Sequence, residues 1–426
     1  MIDAFLAFFL VSLLPIAFLG IGGHTEHVLF IGWRWLQVVA LFASSLFVVY
    51  QLARRDRRGL AVLALVVVGV AYLGLSYLGI AWDAQIEYNR VLQLAQRFGS
   101  ITEAYRHGVT HWIFGYPPGA TLSVAFFLTL KMISPNVAQG VLLALWSGSL
   151  LTRHLRHVDV PTKIVFFVLL ATGTQLMWHF AYFYNNLFYA LVWATFVFAP
   201  MFGSSLRPWE WCGYALVLVW LRPQWQIAAI PIGVGALAAL ASARTWNLRV
   251  LRDTILMMTA ALAVAWLGST YWRSASAKLD EAMSRENADV IANITAQQAS
   301  PVLEIDVHTR PLAQQTTTVP PFLSRESVDA VVWAYHVTAH AYSLSLVVLA
   351  AVATLALLIL RRRGLVFVVP LLSPIGIVLG TAAFAHYYAA YRANSWALER
   401  LQIITPILAA GSVAALHWTV RQRTRA

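Results

Sequence analysis

Long apolar runs, separated by short polar segments, form the dominant pattern of this chain. About ten to twelve of these runs approach the ~20 residues that a helix needs to cross a ~30 Å hydrocarbon core. The pattern predicts an all-α fold, a polytopic transmembrane helical bundle with about 10–12 spans. We expect residues 1–426 to form a single transmembrane domain, with amphipathic helices outside the membrane.

The polar segments are either short and basic or longer and mixed in charge. The short basic segments lie beside apolar runs, at residues 54–58, 153–156, 244–252, 361–363 and 421–425. Because cytoplasmic loops carry an excess of Lys and Arg, these clusters predict the cytoplasmic side. The longest segments that then fall on the opposite side are residues 82–116 and 272–339, which we expect to form the periplasmic face.

The count of apolar runs conflicts with this charge pattern at one place. Three runs, at residues 60–81, 117–133 and 137–151, separate the basic cluster at 54–58 from the one at 153–156. Three full crossings would put the two clusters on opposite sides of the membrane. Either one run is re-entrant or one cluster breaks the charge rule, and the prolines at 117, 118 and 135 favour a run that does not fully cross.

Composition excludes several classes of protein. The chain is 60% hydrophobic and 11% charged, which is not the composition of an ordinary soluble domain. Many of the basic residues behind its formal charge of +12 stand in the clusters beside apolar runs, so the charge indicates a cytoplasmic fringe and no nucleic-acid surface. The single Cys212 excludes an intrachain disulfide. The apolar stretch at residues 5–20 lacks a basic leader, so we interpret it as a retained first span.

Asp83 is the first candidate for chemistry. It follows the apolar run that ends at Ile80, in a chain with few charges. An ionisable group in or near the membrane is unfavourable, so its presence at this position suggests a functional role. Residues 82–98 read as an amphipathic helix with Asp83, Glu87 and Arg90 on one face. Helix capping is the competing role for Asp83, and ordinary pairing with Arg90 is the competing role for Glu87.

Several short motifs occur in a recognisable order. Asp83 follows a span, Tyr116-Pro117-Pro118-Gly119 opens the next apolar run, Leu221-Arg222-Pro223-Gln224 lies at a mid-chain loop, and Leu398-Glu399-Arg400-Leu401 enters the last run. This layout resembles the GT-C glycosyltransferases, and most closely the bacterial polyprenyl-phosphate-mannose α-mannosyltransferases. The resemblance implies a multi-pass inner-membrane enzyme whose active site faces the periplasm or the cell exterior.

Sugar transfer from a lipid phosphate needs a base for the acceptor hydroxyl and cations for the departing phosphate. Asp83 is the predicted base, because burial at the interface raises the proton affinity of a carboxylate. The predicted phosphate-binding residues are Arg222, Arg392, Arg400 and His386. The predicted sugar- and acceptor-binding residues are Trp82, Glu87, Tyr116 and Gln224. Contact with lipid headgroups is the competing role for Arg222.

We expect catalysis without a metal ion or other cofactor. Metal-dependent relatives place a further acid in the second external loop, where this chain has Tyr182-Phe183-Tyr184-Asn185-Asn186 and offers no hard anionic ligand. His336 and His340 have helical spacing, but no third zinc ligand stands at fixed spacing. A base without a protein nucleophile implies inversion at the anomeric carbon.

Three functions remain open at this stage. The leading hypothesis is transfer of one sugar, mannose by the resemblance, from a polyprenyl phosphate to a lipid-linked glycan. A second is a polysaccharide polymerase or O-antigen ligase that uses a lipid-diphosphate donor, with His308 and Arg310 of the 272–339 segment at its centre. A third is a lipid or sugar transporter, for which the sequence shows no convincing internal repeat.

Overall fold

The computed structural model of the chain describes residues 3–18, 23–75, 79–80, 97, 99, 102, 119–132, 135–172, 182–183, 186–223, 225–242, 248–286, 352, 356 and 404–424. These residues are helical apart from turns and one pair of very short strands. The all-α prediction is therefore confirmed for the described part of the chain. The finer prediction of about 10–12 spans is not decided by it.

The helices are labelled in chain order. They are α1 (Ala4–Ser12), α2 (Leu14–Ala17), α3 (Gly23–Arg55), α4 (Arg57–Leu75), α5 (Gly119–Val124), α6 (Phe126–Thr129), α7 (Pro135–Arg153), α8 (Val160–Thr172), α9 (Asn186–Met201), α10 (Pro208–Leu221), α11 (Trp225–Ser242), α12 (Leu248–Glu286) and α13 (Ile404–Arg423). Strands β1 (Gly79–Ile80) and β2 (Tyr182–Phe183) pair in parallel, with Gly79 opposite Tyr182.

The centre of the bundle is formed by α9 and α10, which are apolar on nearly all sides. Phe196 and Phe198 of α9 and Leu218 of α10 are fully buried. A helix that is apolar all round belongs inside a protein or a membrane. By contrast, α3 and α12 expose large apolar side chains, such as Leu46 at 67% and Leu256 at 60% exposure.

Helix length distinguishes two of the described elements. Two stretches, His24–Arg55 and Leu248–Lys278, are long and apolar enough to cross a membrane. Their most apolar windows are only 33% and 17% buried within the chain, so most of that apolar surface faces outward. The described part also contains shorter apolar helices, at Gly119–Thr129, Val160–Ala171, Leu187–Met201 and Ala228–Leu237.

Contacts bring the described basic clusters to one end of the bundle, which we call the basic end. Lys163 at the start of α8 forms an ion pair with Asp56, between α3 and α4. Arg153 at the end of α7 pairs with Glu210 in the first turn of α10. The cytoplasmic side that the sequence assigns to all five clusters stays a prediction.

The described part of the apolar run at 117–133 bears on the conflict over three crossings. The run contains α5 and α6, of 6 and 4 residues, which rise only about 9 and 6 Å. They are too short to cross a ~30 Å core. Thr129 at the end of α6 accepts a hydrogen bond from Arg34 Nε, near the start of α3, so the run turns back toward the end it came from.

The first apolar stretch, residues 5–20, is also interrupted. Helix α1 ends at Ser12 and the four-residue α2 begins at Leu14, with Pro15 in its first turn. Proline lacks the amide hydrogen that a continuing helix needs. The described part of residues 5–20 is therefore not one continuous helix, its core-facing residues are buried, and the retained first span stays a prediction.

One side chain of α3 joins the two interrupted segments. Gln37 Nε2 donates to Ser12 Oγ at 3.1 Å and to the carbonyl oxygen of Leu122 at 2.6 Å. The carbonyl oxygen of Leu122 also accepts the backbone N–H of Ala125 at 3.2 Å, at the turn between α5 and α6. The amide of Gln37 is therefore a second donor to this carbonyl, and it links the turn to the end of α1.

Helix α12 continues into the second long polar segment, residues 272–339. It ends at Glu286, and Trp272 at the start of the segment is buried at 1% exposure. At 1.5 Å per residue the 39-residue helix is about 58 Å long, which exceeds the ~30 Å of a hydrocarbon core. The periplasmic position of the segment stays a prediction.

Candidate functional site

Of the predicted site residues, Arg222 is described by the structure. The other predicted residues lie outside the described part of the chain: Trp82, Asp83, Glu87, Tyr116, Gln224, His386, Arg392 and Arg400. The zinc pair His336 and His340 and the alternative centre at His308 and Arg310 also lie outside it. The site is therefore built here from Arg222 and the side chains around it.

Arg222 terminates α10 at the end of the bundle opposite Glu210. Its φ and ψ of −143° and 118° are extended, while its backbone N–H still donates to Leu218 O at 2.9 Å. Pro223 explains this geometry, because the residue before a proline is excluded from the helical region. The side chain is half-buried between α10 and α11. We call this part of the bundle the Arg222 end.

Aromatic side chains lie close to this cation. Arg222 is near enough to Tyr189 of α9 for its charge to act on the phenol hydroxyl. That hydroxyl is buried and finds no hydrogen-bond partner among the described residues, and the same holds for Trp220 Nε1. Buried polar atoms are normally satisfied, so these two donors can be completed by a bound polar group.

Close backbone packing fixes the neighbourhood of Arg222. A Cβ on Gly119, which follows Pro118 in the Tyr-Pro-Pro-Gly motif, would stand 2.0 Å from the carbonyl oxygen of Trp220. The carbonyl of Pro223 accepts a hydrogen bond from Ser269 of α12. Gly119, the last residue of the motif at 116–119, therefore packs against Trp220, the residue before the motif at 221–224.

Two further contacts bring predicted outer segments together. The β1–β2 pair holds Ile80, three residues before Asp83, beside Phe183. Glu26 in the first turn of α3 accepts a hydrogen bond from the backbone N–H of Thr102 at 3.0 Å. The segment 82–116 is thus tied at Thr102 to the start of α3, and its preceding strand is tied to residues 182–183.

Glu26 is a candidate that the sequence reasoning missed. Its side chain is buried at 1% exposure. A buried carboxylate must be paired or hydrogen-bonded, and the backbone N–H of Thr102 is one such partner. The sequence signal was its position in a first helical turn, where the helix dipole favours negative charge. It is the buried acid that the described residues place against the 82–116 segment.

A second polar cluster, at the basic end, was also missed. Asp3 caps α1 through Leu6 N and accepts hydrogen bonds from Ser149 Oγ at 2.8 Å and Tyr214 OH at 2.7 Å. His154 Nε2 lies 4.0 Å from the same carboxylate. Burial lowers the pKa of His154, in the turn after α7, to about 4, against the opposing influence of Asp3. The cluster joins α1, α7 and α10, and a structural role explains it.

Metal-binding groups were sought among the described residues. That part of the chain contains no group of three or more His, Cys, Asp or Glu side chains that could hold an ion. Metal-independent catalysis remains a prediction, because the predicted catalytic segment lies elsewhere in the chain.

Comparisons with protein-family models, with curated proteins and with solved structures found no match for this chain.

Proposed function

We propose that this chain is a multi-pass glycosyltransferase of the bacterial inner membrane that moves one sugar, mannose by resemblance, from a polyprenyl phosphate to a lipid-linked glycan. The single observation that carries the proposal is the half-buried cation Arg222, which ends an apolar helix beside Tyr189 and follows Trp220, the residue that Gly119 of the Tyr-Pro-Pro-Gly motif packs against, by two positions. The planar guanidinium of arginine suits the oxygens of a phosphate, so a lipid phosphate is the ligand that we propose for this end of the bundle.

Exposed apolar surface supports the membrane part of the proposal. Monomeric soluble proteins rarely expose continuous apolar patches larger than a few hundred Å². Helices α3, α4 and α12 expose large aliphatic side chains along their length, among them Val39, Leu65 and Leu267 at 57–66% exposure. Lipid covers such a surface. The basic residues at the other end support a position of the Arg222 end away from the cytoplasm.

The proposed reaction is a single displacement. The acceptor hydroxyl oxygen forms a bond to the anomeric carbon as the bond from that carbon to the phosphate oxygen breaks, and the electron pair leaves with the phosphate. Asp83 takes the hydroxyl proton. Arg222 meets the charge that builds on the phosphate, together with Arg392, Arg400 and His386. Trp82, Glu87, Tyr116 and Gln224 contact the sugar and the acceptor, and one displacement inverts the anomeric configuration.

The test compares variants of Arg222 in proteoliposomes supplied with a polyprenyl-phosphate sugar and an acceptor lipid. We expect Arg222→Gln to lower kcat/KM by about 10- to 100-fold, because a hydrogen bond to a charged group contributes roughly 1.5–3 kcal/mol. Arg222→Lys should recover part of the rate, since the charge remains and the planar fork is lost. Arg273→Gln, an exposed arginine of α12, is the matched control. Equal rates for all three variants would refute the role of Arg222.

One structural feature favours the transporter as a second candidate. The interrupted segments α1–α2 and α5–α6 pack on each other, with Phe8 and Phe126 edge to face at 5.8 Å and Gln37 bonded to both. Discontinuous helices near the middle of a bundle are common in transporters. Substrate-dependent flux across liposomes without sugar transfer would favour this candidate over the enzyme, and sugar transfer with both substrates on one side would favour the enzyme.

A further inference from the structure

A cavity of about 270 Å³ opens at the basic end, remote from Arg222. It lies among the last turns of α9, the start of α10, the end of α11 and the start of α12. Its lining residues are Phe196, Pro200, Gly203, Ser204, Ser205, Leu206, Trp211, Gly235, Ala239 and Met257. We propose that it binds an anionic phospholipid, with part of an acyl chain in the cavity and the phosphate at Arg207.

The lining selects an apolar occupant. Most of the lining side chains are hydrocarbon or aromatic, two are serines, and none is charged. The volume is slightly below the ~300–1,000 Å³ of pockets that enclose a whole ligand, so it accommodates one portion of a chain. A small inorganic anion gains nothing from such walls, because burial without charged partners is unfavourable.

The mouth of the cavity is open at Gly203. This residue has a left-handed φ of +74°, and nothing lies within 4 Å of the place where a Cβ would stand. Ser204 next to it is held by Ala199 O at 2.9 Å and by His154 Nδ1 at 2.5 Å. The hydrogen bonds of Ser204 therefore hold the turn in place, while the outer face of the turn at Gly203 leaves room for an acyl chain.

Charge beside the cavity favours an anionic headgroup. Arg207 is exposed and lies in the chain between the lining residues Leu206 and Trp211. Arg153 donates to the carbonyl oxygen of the lining residue Ser205 and pairs with Glu210, and Arg207 is also near enough for its charge to act on that carboxylate. Two guanidinium groups against one carboxylate leave a net positive charge beside an apolar cavity, a combination that complements a lipid with a phosphate head.

The experiment titrates the delipidated full chain in detergent with two lipids that share oleoyl chains, phosphatidylglycerol and phosphatidylcholine, and counts bound lipid by native mass spectrometry. We expect phosphatidylglycerol to bind about fivefold more tightly, since one basic residue at an anionic headgroup contributes that factor. Arg207→Gln should bring the two lipids to parity. Arg423→Gln, which removes an exposed arginine of α13 at the same end, should leave the preference intact.

A second pair of variants tests the cavity itself. Ala239→Phe fills it and should weaken both lipids by roughly tenfold, the equivalent of about two methylenes left unburied. Leu237→Phe on the same helix, at a residue 56% exposed and outside the lining, should change neither. Equal binding of the two lipids by the native chain, equal effects within either variant pair, or full competition by inorganic phosphate would overturn the proposal.

Discussion

Asp3 offers the sharpest test of how the basic end is held together. Its carboxylate is 1% exposed and accepts hydrogen bonds from Leu6 N, Ser149 Oγ and Tyr214 OH. Replacing it with alanine removes the cap of α1 and leaves two buried hydroxyls without their acceptor. Loss of a cap costs about 1 kcal/mol, and each unsatisfied buried group costs about 1–3 kcal/mol. We expect Asp3→Ala to lower the free energy of unfolding by about 3–7 kcal/mol.

A double-mutant cycle separates this network from simple loss of packing. Tyr214→Phe alone should cost about 1 kcal/mol, because it removes one of three donors and buries no orphan hydroxyl. In the background of Asp3→Ala it should cost less, or stabilise, since the hydroxyl has already lost its acceptor at 2.7 Å. The coupling energy should be about 1–2 kcal/mol, within the range for residues in contact.

The free energy of unfolding can be measured by sodium dodecyl sulfate titration in mixed micelles, followed by circular dichroism. Asp253→Ala is the matched control, because that carboxylate is 56% exposed and its pair with Arg252 is worth at most about 1 kcal/mol. The reasoning is refuted if Asp3→Ala is no more destabilising than Asp253→Ala, or if the effects of Asp3→Ala and Tyr214→Phe simply add.

Two further predictions address packing and pH. Gly119→Ala should lower the free energy of unfolding by about 1–3 kcal/mol or more, because its Cβ would stand 2.0 Å from the backbone oxygen of Trp220 and neither can move easily. Gly32→Ala is the control: nothing lies within 4 Å of its Cβ position, so it should raise the free energy of unfolding by up to about 1 kcal/mol. Equal effects of the two variants in the same titration would contradict the packing. Since burial lowers the pKa of His154 to about 4 from an ordinary 6.5, the unfolded chain takes up the proton first as pH falls, so the free energy of unfolding should decrease between about pH 6.5 and 4. The decrease should reach about 3 kcal/mol and should flatten in His154→Gln, and an unchanged slope in that variant would count against the assignment.

The sequence predicted the helical nature of the chain and the shared end of the basic clusters for definite physical reasons. Long apolar runs leave the backbone little alternative to helix, and arginines beside such runs collect on one side of a membrane. The ion pairs of Asp56 with Lys163 and of Arg153 with Glu210 lie beside two of these clusters, and the common side of all the clusters stays a prediction. Each local signal was strong enough to be read without knowledge of the tertiary fold.

What the sequence could not supply were the long-range partners of single polar side chains. Asp3 reads as an ordinary helix cap, and its contact with Tyr214 spans 211 positions. Gln37 lies in an apolar run, and only the fold shows that its amide donates to the carbonyl oxygen of Leu122. Glu26 was passed over within a short polar segment, although the fold buries it against Thr102. The periodicity of a sequence shows which face of a helix is apolar, but it does not identify the hydrogen-bond partner of a given polar side chain.

Different kinds of signal support the predicted role of Arg222 and the predicted roles of the other site residues. Arg222 could be singled out because Pro223 ends the helix there, and the structure describes that geometry. The roles of Asp83, Arg400 and the other outer residues depend on the order of short motifs, and they remain predictions.

Sugar transfer by purified Asp83→Asn, assayed in proteoliposomes with a polyprenyl-phosphate sugar, tests the central claim most directly. Asparagine keeps the size of the side chain and cannot accept the proton, so we expect the turnover rate to fall by about 10²–10⁴-fold while the variant unfolds at the same temperature as the native chain. A turnover rate equal to that of the native chain would contradict the account.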